Sequence, residues 1–126
     1  MAFGDVGGAV TELVITCRTP DEGEVAIRKG DALKLVGPYT VSNIADDEDP
    51  VFGQAMADAA LNDIALPVMV RGIALFAYEG AAPPVDGVTG VTASEEPGRV
   101  KAPAAGTGAG RNLKVDEAAS VVHVLL

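Results

Sequence analysis

Apolar and polar positions alternate along most of this chain, in short runs separated by glycine, proline and acidic turns. Residues 11–16 form a short β-prone run. Pro20-Asp21-Glu22-Gly23 then predicts a turn, because proline presets φ and glycine accepts a positive φ. Over residues 24–28, Val25 and Ile27 fall on one face. Lys29-Gly30-Asp31 turns the chain, and residues 32–36 put Leu33 and Leu35 on one side with Lys34 on the other. Gly37-Pro38 turns it again before a strand over 39–44, which runs into the acidic stretch Asp46-Asp47-Glu48-Asp49-Pro50. Period-two alternation between turn signals is the pattern of half-buried strands.

The second half repeats the scheme. A strand is expected over 51–57, with alanine-rich residues 55–62 the one place where a helix of a turn or two competes. Residues 64–70 place Ile64, Leu66, Val68 and Val70 on one face. Pro67 has no N–H to donate, which predicts a sheet edge or a bulge there. Gly72 interrupts the run and 73–78 resumes it. A loop follows over 81–90, then short strands over 89–93 and 99–101 around Glu96-Pro97-Gly98. A small-residue loop over 103–110 leads to two final strands, 112–115 and 120–126. Many short strands with regular turns imply an all-β sandwich or barrel. The glycine-rich residues 1–8 read as a mobile arm.

Length and charge narrow the function classes. A chain of 126 residues is one domain with, at most, an arm. Its 9 basic against 18 acidic residues give a net charge of −9. That sign disfavours nucleic acid, whose binding needs lysine and arginine to displace counterions, and equally disfavours anionic membranes. The most apolar stretch, 64–78, is interrupted by Pro67, Arg71 and Gly72 and is shorter than the ~20 apolar residues of a membrane span. The start lacks the basic and apolar regions of a secretory signal, so synthesis in the cytoplasm is expected.

Candidate chemistry is sparse. Gly106-Thr107-Gly108-Ala109-Gly110 resembles a phosphate loop, but Arg111-Asn112 and a strand follow it rather than a Lys-Ser/Thr pair and a helix. Asp46 to Asp49 lack the spaced ligands of a calcium loop and read as a solvated turn. His123 is the single histidine and Cys17 the single cysteine, with nothing in the sequence that brings them together. Glu95-Glu96 precede Pro97-Gly98 and read as an exposed turn. No catalytic residue, cofactor or metal ligand is expected, and the chain reads as a structural protein rather than an enzyme.

The serial order of several motifs resembles the small capsid decoration (cement) proteins of tailed bacteriophages. The motifs are Ile27-Arg28-Lys29-Gly30-Asp31-Ala32-Leu33, Pro50-Val51-Phe52-Gly53-Gln54-Ala55 and Leu66-Pro67-Val68-Met69-Val70-Arg71-Gly72-Ile73. Gly98-Arg99-Val100, Gly110-Arg111-Asn112-Leu113 and the terminal run 121–126 follow in order. Together they cover about residues 24–126, and residues 1–23 match nothing in the pattern.

The resemblance implies a small β-barrel or β-tulip-like domain over 24–126, preceded by an arm and first strand over 1–23. It implies a homotrimer on the outer surface of an expanded capsid, bound to the major capsid protein and stabilising the shell. Contact with the capsid or a neighbouring subunit is expected at Phe3, Val6 and Val10 of the arm and at Pro67 and Met69 of the proline-bearing strand. A tail-tube, head-completion or fibre-base subunit is the alternative role, and a small ligand-binding barrel a further one, which would need a deep pocket with converging polar groups.

Overall fold

The computed structural model of the chain describes Phe3 and residues 12–126. The rest of the expected arm, including Val6 and Val10, lies outside the described residues. Within them the chain is all-β, without a helix. Its strands are β1 (Leu13–Arg18), β2 (Ala32–Gly37), β3 (Thr40–Ser42), β4 (Gly53–Ala55), β5 (Ala65–Arg71), β6 (Ile73–Ala77), β7 (Thr92–Ala93), β8 (Val100–Lys101), β9 (Arg111–Asp116) and β10 (Val121–Leu125). The first five close a barrel in the order β1-β3-β2-β4-β5. A three-stranded sheet, β6-β10-β9, and the β7-β8 hairpin complete the fold.

The barrel and the sheet are joined where the sequence pattern breaks. Gly72 separates β5, which pairs antiparallel with β1 and β4, from β6, which pairs with β10. One continuous apolar run therefore serves two sheets. Each has its own packed cluster. Cys17, Ile27, Leu33, Val41, Leu66 and Val68 pack together from the barrel strands and the segment before β2. Phe76, Val91, Val100, Val122 and Val124 form the second cluster, with Met69 reaching into it from β5. Gln54 of β4 ties the two parts together: its side-chain amide donates to the carbonyl of Gly30 at 3.2 Å and to that of Leu75 in β6 at 2.8 Å.

Several expectations are corrected. Residues 24–28 form no strand. Ile27 alone bridges Ala59, through reciprocal amide–carbonyl bonds of 2.9 Å. That bridge also removes the competing helix at 55–62, because Ala55 ends β4 and Ala59 is held extended against Ile27. Leu35 alternates with Leu33 as expected but is 45% exposed against 1%. β2 pairs with β4 only at Ala32 and Leu33, so from Leu35 onward the β2–β3 hairpin projects past that neighbour.

Pro67 is not on a free edge, since β5 has partners on both sides. Its carbonyl accepts from Met56 N–H at 3.0 Å, on the β4 side and beyond the last paired residue, Ala55. Because a strand residue's N–H and C=O point the same way, the missing donor faces the place where β4 has already ended. Met69, expected at a contact, is 2% exposed and belongs to the core. With Leu66 and Val68 in one cluster and Met69 in the other, β5 packs on both faces, the second of them only at Met69, since Ala65, Pro67 and Arg71 stay exposed.

Candidate interaction surface

The outward face of β6-β10-β9 is built by strict alternation. Ala74 and Phe76 of β6 and Val122 and Val124 of β10 point inward and are fully buried. Their neighbours point out. The register sets Ala77, Val121 and Asp116 in one row, Leu75, His123 and Lys114 in the next, and Ile73, Leu125 and Arg111 in the third. A shift between His123 and Val124 leaves Leu113 unpaired in β9. Such a bulge places two successive side chains on the same side, and both Leu113 and Lys114 are exposed. Leu75, Leu113 and Leu125 are 49%, 44% and 42% exposed on a face that a soluble sheet would cover with polar groups.

A cleft of about 530 Å³ adjoins this face and shares Leu75 and Ala77 with it. Arg28, Lys29 and Arg99 line the cleft, with Asp31, Asn43 and Gly98 among its other walls. Three segments are knotted there. Asp31 Oδ2 accepts the Arg28 N–H at 3.0 Å and the Asn43 side-chain amide at 2.9 Å. The same amide donates to the Ala26 carbonyl, Gly98 N–H donates to the Asn43 carbonyl, and Ala32 N–H to the Gly98 carbonyl, each at 2.9 Å. Gly98 has φ +77, and a Cβ there would overlap the Asp31 carboxylate. Glycine is thus required twice over, by backbone conformation and by space.

Charge is distributed unevenly. Arg18 pairs with Asp63 at 3.5 Å, Lys34 with Asp49 at 2.7 Å and Lys101 with Asp47 at 2.7 Å. Arg28, Lys29, Arg99, Arg111 and Lys114 form no ion pair among the described residues, and all five flank the apolar rows: three in the cleft beside β6, two on β9. In a chain of net charge −9, these five cations share the face and its cleft with Asp31, Glu96 and Asp116.

The acidic stretch at 46–49 is bound internally. Glu48 accepts from the Thr92 hydroxyl at 2.7 Å and from the Ala104 N–H, and Lys101 lies 3.5 Å away. Those contacts, the Thr92 bond first, hold its carboxyl below the usual glutamate range. Asp49 is likewise lowered, by Lys34 and then by the Asp46 N–H. Lys34 and Lys101 are raised by the same partners, Asp49 and Asp47. Among the described residues, no group of three or more His, Cys, Asp or Glu is placed to hold a metal ion.

The remaining sequence candidates fall apart spatially. Cys17 is buried in the barrel cluster, where burial raises its thiol, and His123 sits in the middle row of the other sheet. Glu95 and Glu96 are exposed at the β7–β8 turn. The glycine run before β9 serves close packing: Gly108 has φ +67, and a Cβ there would press on the Val91 carbonyl at 2.6 Å. Of the expected contacts, Phe3 and Pro67 are exposed and Met69 is buried. The outward rows of β6, β10 and β9 escaped sequence reasoning. Alternation alone shows two faces but not which lacks a cover; the signal was apolar residues at both parities in 73–77 and 121–125.

No protein-family model matches the chain, and no curated protein matches its sequence.

Proposed function

We propose that this chain is a structural virion protein that binds the outer surface of an expanded phage capsid as a homotrimer and stabilises it without chemistry. The observation that carries the reading is the presence of two separate exposed apolar surfaces on one small acidic domain. One is the outward face of β6-β10-β9. The other is the projecting β2–β3 hairpin, where Leu35, Val36 and Tyr39 are 45%, 47% and 68% exposed. A decoration protein needs two kinds of contact, sideways to its own copies and downward to the shell. Three linked copies of a weak shell contact then bind with an avidity orders of magnitude above one. The ordered motifs over 24–126 support the same reading.

In this reading the major capsid protein is the partner, and the protein acts after synthesis in the host cytoplasm. Phe3, Val6 and Val10 serve subunit or shell contacts, as does the exposed Pro67. The β2–β3 hairpin joins them as a shell contact.

Co-sedimentation of the purified chain with expanded, undecorated heads of the phage that encodes it tests the reading. Saturable binding in multiples of three, lost on unexpanded heads, is the expected result. Absence of binding to either form overturns it. Hexameric rings, or location at the tail, would favour the tail-tube or head-completion role instead.

A further inference from the structure

Strand β6 has one paired edge and one open edge, and the open edge faces the cleft. On the β10 side, Tyr78 N–H donates to the Ser120 carbonyl at 3.0 Å and Leu126 N–H to the Gly72 carbonyl at 2.9 Å. Hydrogen-bonded pairs alternate along an antiparallel ladder, so the even-numbered residues of β6 carry the bonds to β10. The N–H and C=O groups of Leu75 and Ala77 point the other way, and both residues line the cleft. The Leu75 carbonyl is taken by the Gln54 amide at 2.8 Å. The N–H groups of Leu75 and Ala77 have no acceptor among the described residues. Past Ala77 the edge is closed by the parallel bridge of Tyr78 to Val100.

The other walls of the cleft have the same imbalance: acceptors are spent and donors are not. The carbonyls of Ala26, Arg28, Gly30, Asn43 and Gly98 each accept a bond from within the fold. Of the two lining carboxylates, Asp31 accepts the Arg28 N–H and the Asn43 amide, which leaves Glu96 as the one without a bond among the described residues. Arg28, Lys29 and Arg99 form no ion pair there. We propose that this cleft takes an extended acidic segment of another protein chain, laid along β6 as an added strand. The N–H groups of Leu75 and Ala77 lie two residues, or about 6.8 Å, apart. Alternate carbonyls of an extended chain repeat at the same distance and accept from both, which is recognition by strand addition. Carboxylate side chains of the segment meet Arg28, Lys29 and Arg99 in charge-assisted bonds. The volume of about 530 Å³ is that of a cleft that holds a ligand. Charged side chains beside an open edge keep unwanted strands away; cations that exclude a basic strand admit an acidic one. The exposed Glu96 opposes such a segment, so its removal should help binding.

Magnetic resonance of the full chain, labelled with heavy nitrogen, tests the proposal. The probe is an acetylated and amidated peptide of alternating valine and glutamate, and a control peptide carries lysine in place of glutamate. Before any addition, hydrogen exchange at the Leu75 and Ala77 amides should be faster than at Ala74 and Phe76, which bond to β10. The glutamate probe should bind with roughly millimolar affinity or better. It should shift the Leu75 and Ala77 amides and slow their exchange about tenfold, and the lysine probe should do neither. Slow exchange at both amides in the free chain, no binding of the glutamate probe, or equal binding of the lysine probe each overturns the proposal. Shifts near Arg99 without protection of Leu75 and Ala77 also overturn it, because they would show an ionic patch and no added strand.

Two variants give the sign of the ionic part. Arg28→Gln with Arg99→Gln should weaken binding of the glutamate probe about tenfold. The thermal midpoint should not move, since neither side chain has an ion pair among the described residues. Glu96→Gln should tighten binding, because it removes the opposing carboxylate. Binding that ignores both changes overturns the preference for an acidic segment. None of these readouts involves a capsid, so the outcome is separate from that of the head-binding experiment.

Discussion

Arg18 of β1 and Thr40 of β3 form the single parallel pair that closes the barrel. The Arg18 N–H donates to the Tyr39 carbonyl at 2.8 Å, and its Nε donates to Thr40 Oγ1 at 3.0 Å. The Thr40 hydroxyl in turn donates to the Pro38 carbonyl at 3.0 Å. Every other seam of the barrel is antiparallel and joins at least two residue pairs. The β1–β3 seam is therefore the place where the barrel opens first. Thr40→Val keeps the shape and removes the hydroxyl, which should cost about 1 kcal/mol. Hydrogen exchange at the Arg18 amide should accelerate more than at the Cys17 amide. Equal acceleration at both would mean that the seam does not open independently.

Two adjacent residues of β6 should respond in opposite ways. Phe76 is fully buried and Leu75 is 49% exposed. Phe76→Ala should destabilise by about 3–5 kcal/mol through lost burial and the cavity left behind. Leu75→Ala in the isolated chain should stay within about 0.5 kcal/mol of the wild type. Urea denaturation at a protein concentration low enough to keep the chain monomeric reads both. A large cost at Leu75 under those conditions would show that its face is covered within one copy.

The knot at the cleft should behave as a coupled pair. Gly98→Ala forces a side chain into positive φ and against the Asp31 carboxylate, at a cost of about 2 kcal/mol or more. In an Asp31→Ser background the steric part is relieved, so the same substitution should cost less. Additive costs in the double-mutant cycle would separate the two residues energetically.

Stability should be flat across the neutral range and fall on both sides. Glu48, Asp49 and Asp86 are lowered from ordinary values of 4.5, 3.8 and 3.8. Asp86 owes this to the N–H groups of Val88 and Thr89 and to the Thr89 hydroxyl. Their contributions are complete above those ordinary values and are lost as pH falls through the lower folded ones. Lys34 and Lys101 are raised from 10.5, so theirs are complete below 10.5 and lost as pH rises through the folded values. The buried Cys17 thiol is raised from 9.0, so unfolding is favoured once the unfolded thiol ionises, before the lysines titrate. The thermal midpoint should therefore hold from about pH 5 to about pH 8 and drop below about 4.5. Glu48→Gln should lower it at pH 7 and make the acid limb shallower. An unchanged acid limb would remove Glu48 from the account.

The all-β class, most strand positions and nearly all turns were legible in the sequence, because alternation and turn chemistry act within a few residues. Pro20 to Gly23, Lys29-Gly30 and Glu96-Pro97-Gly98 turn the chain where their residue types demand it. Tertiary pairing decided the rest. The Ile27–Ala59 bridge overrode alanine's helical preference, since a hydrogen-bonded partner 32 residues away is invisible to any local rule. Pro67 looked like an edge residue because its missing donor was known but the point where β4 stops was not. Met69 looked available for contact because it lies on the proline-bearing strand, expected at a sheet edge, yet a second sheet packs against it. Alternation tells which residues share a face of a strand. Which faces are covered depends on how sheets stack, and that left Leu75, Leu113 and Leu125 in the open while burying Met69.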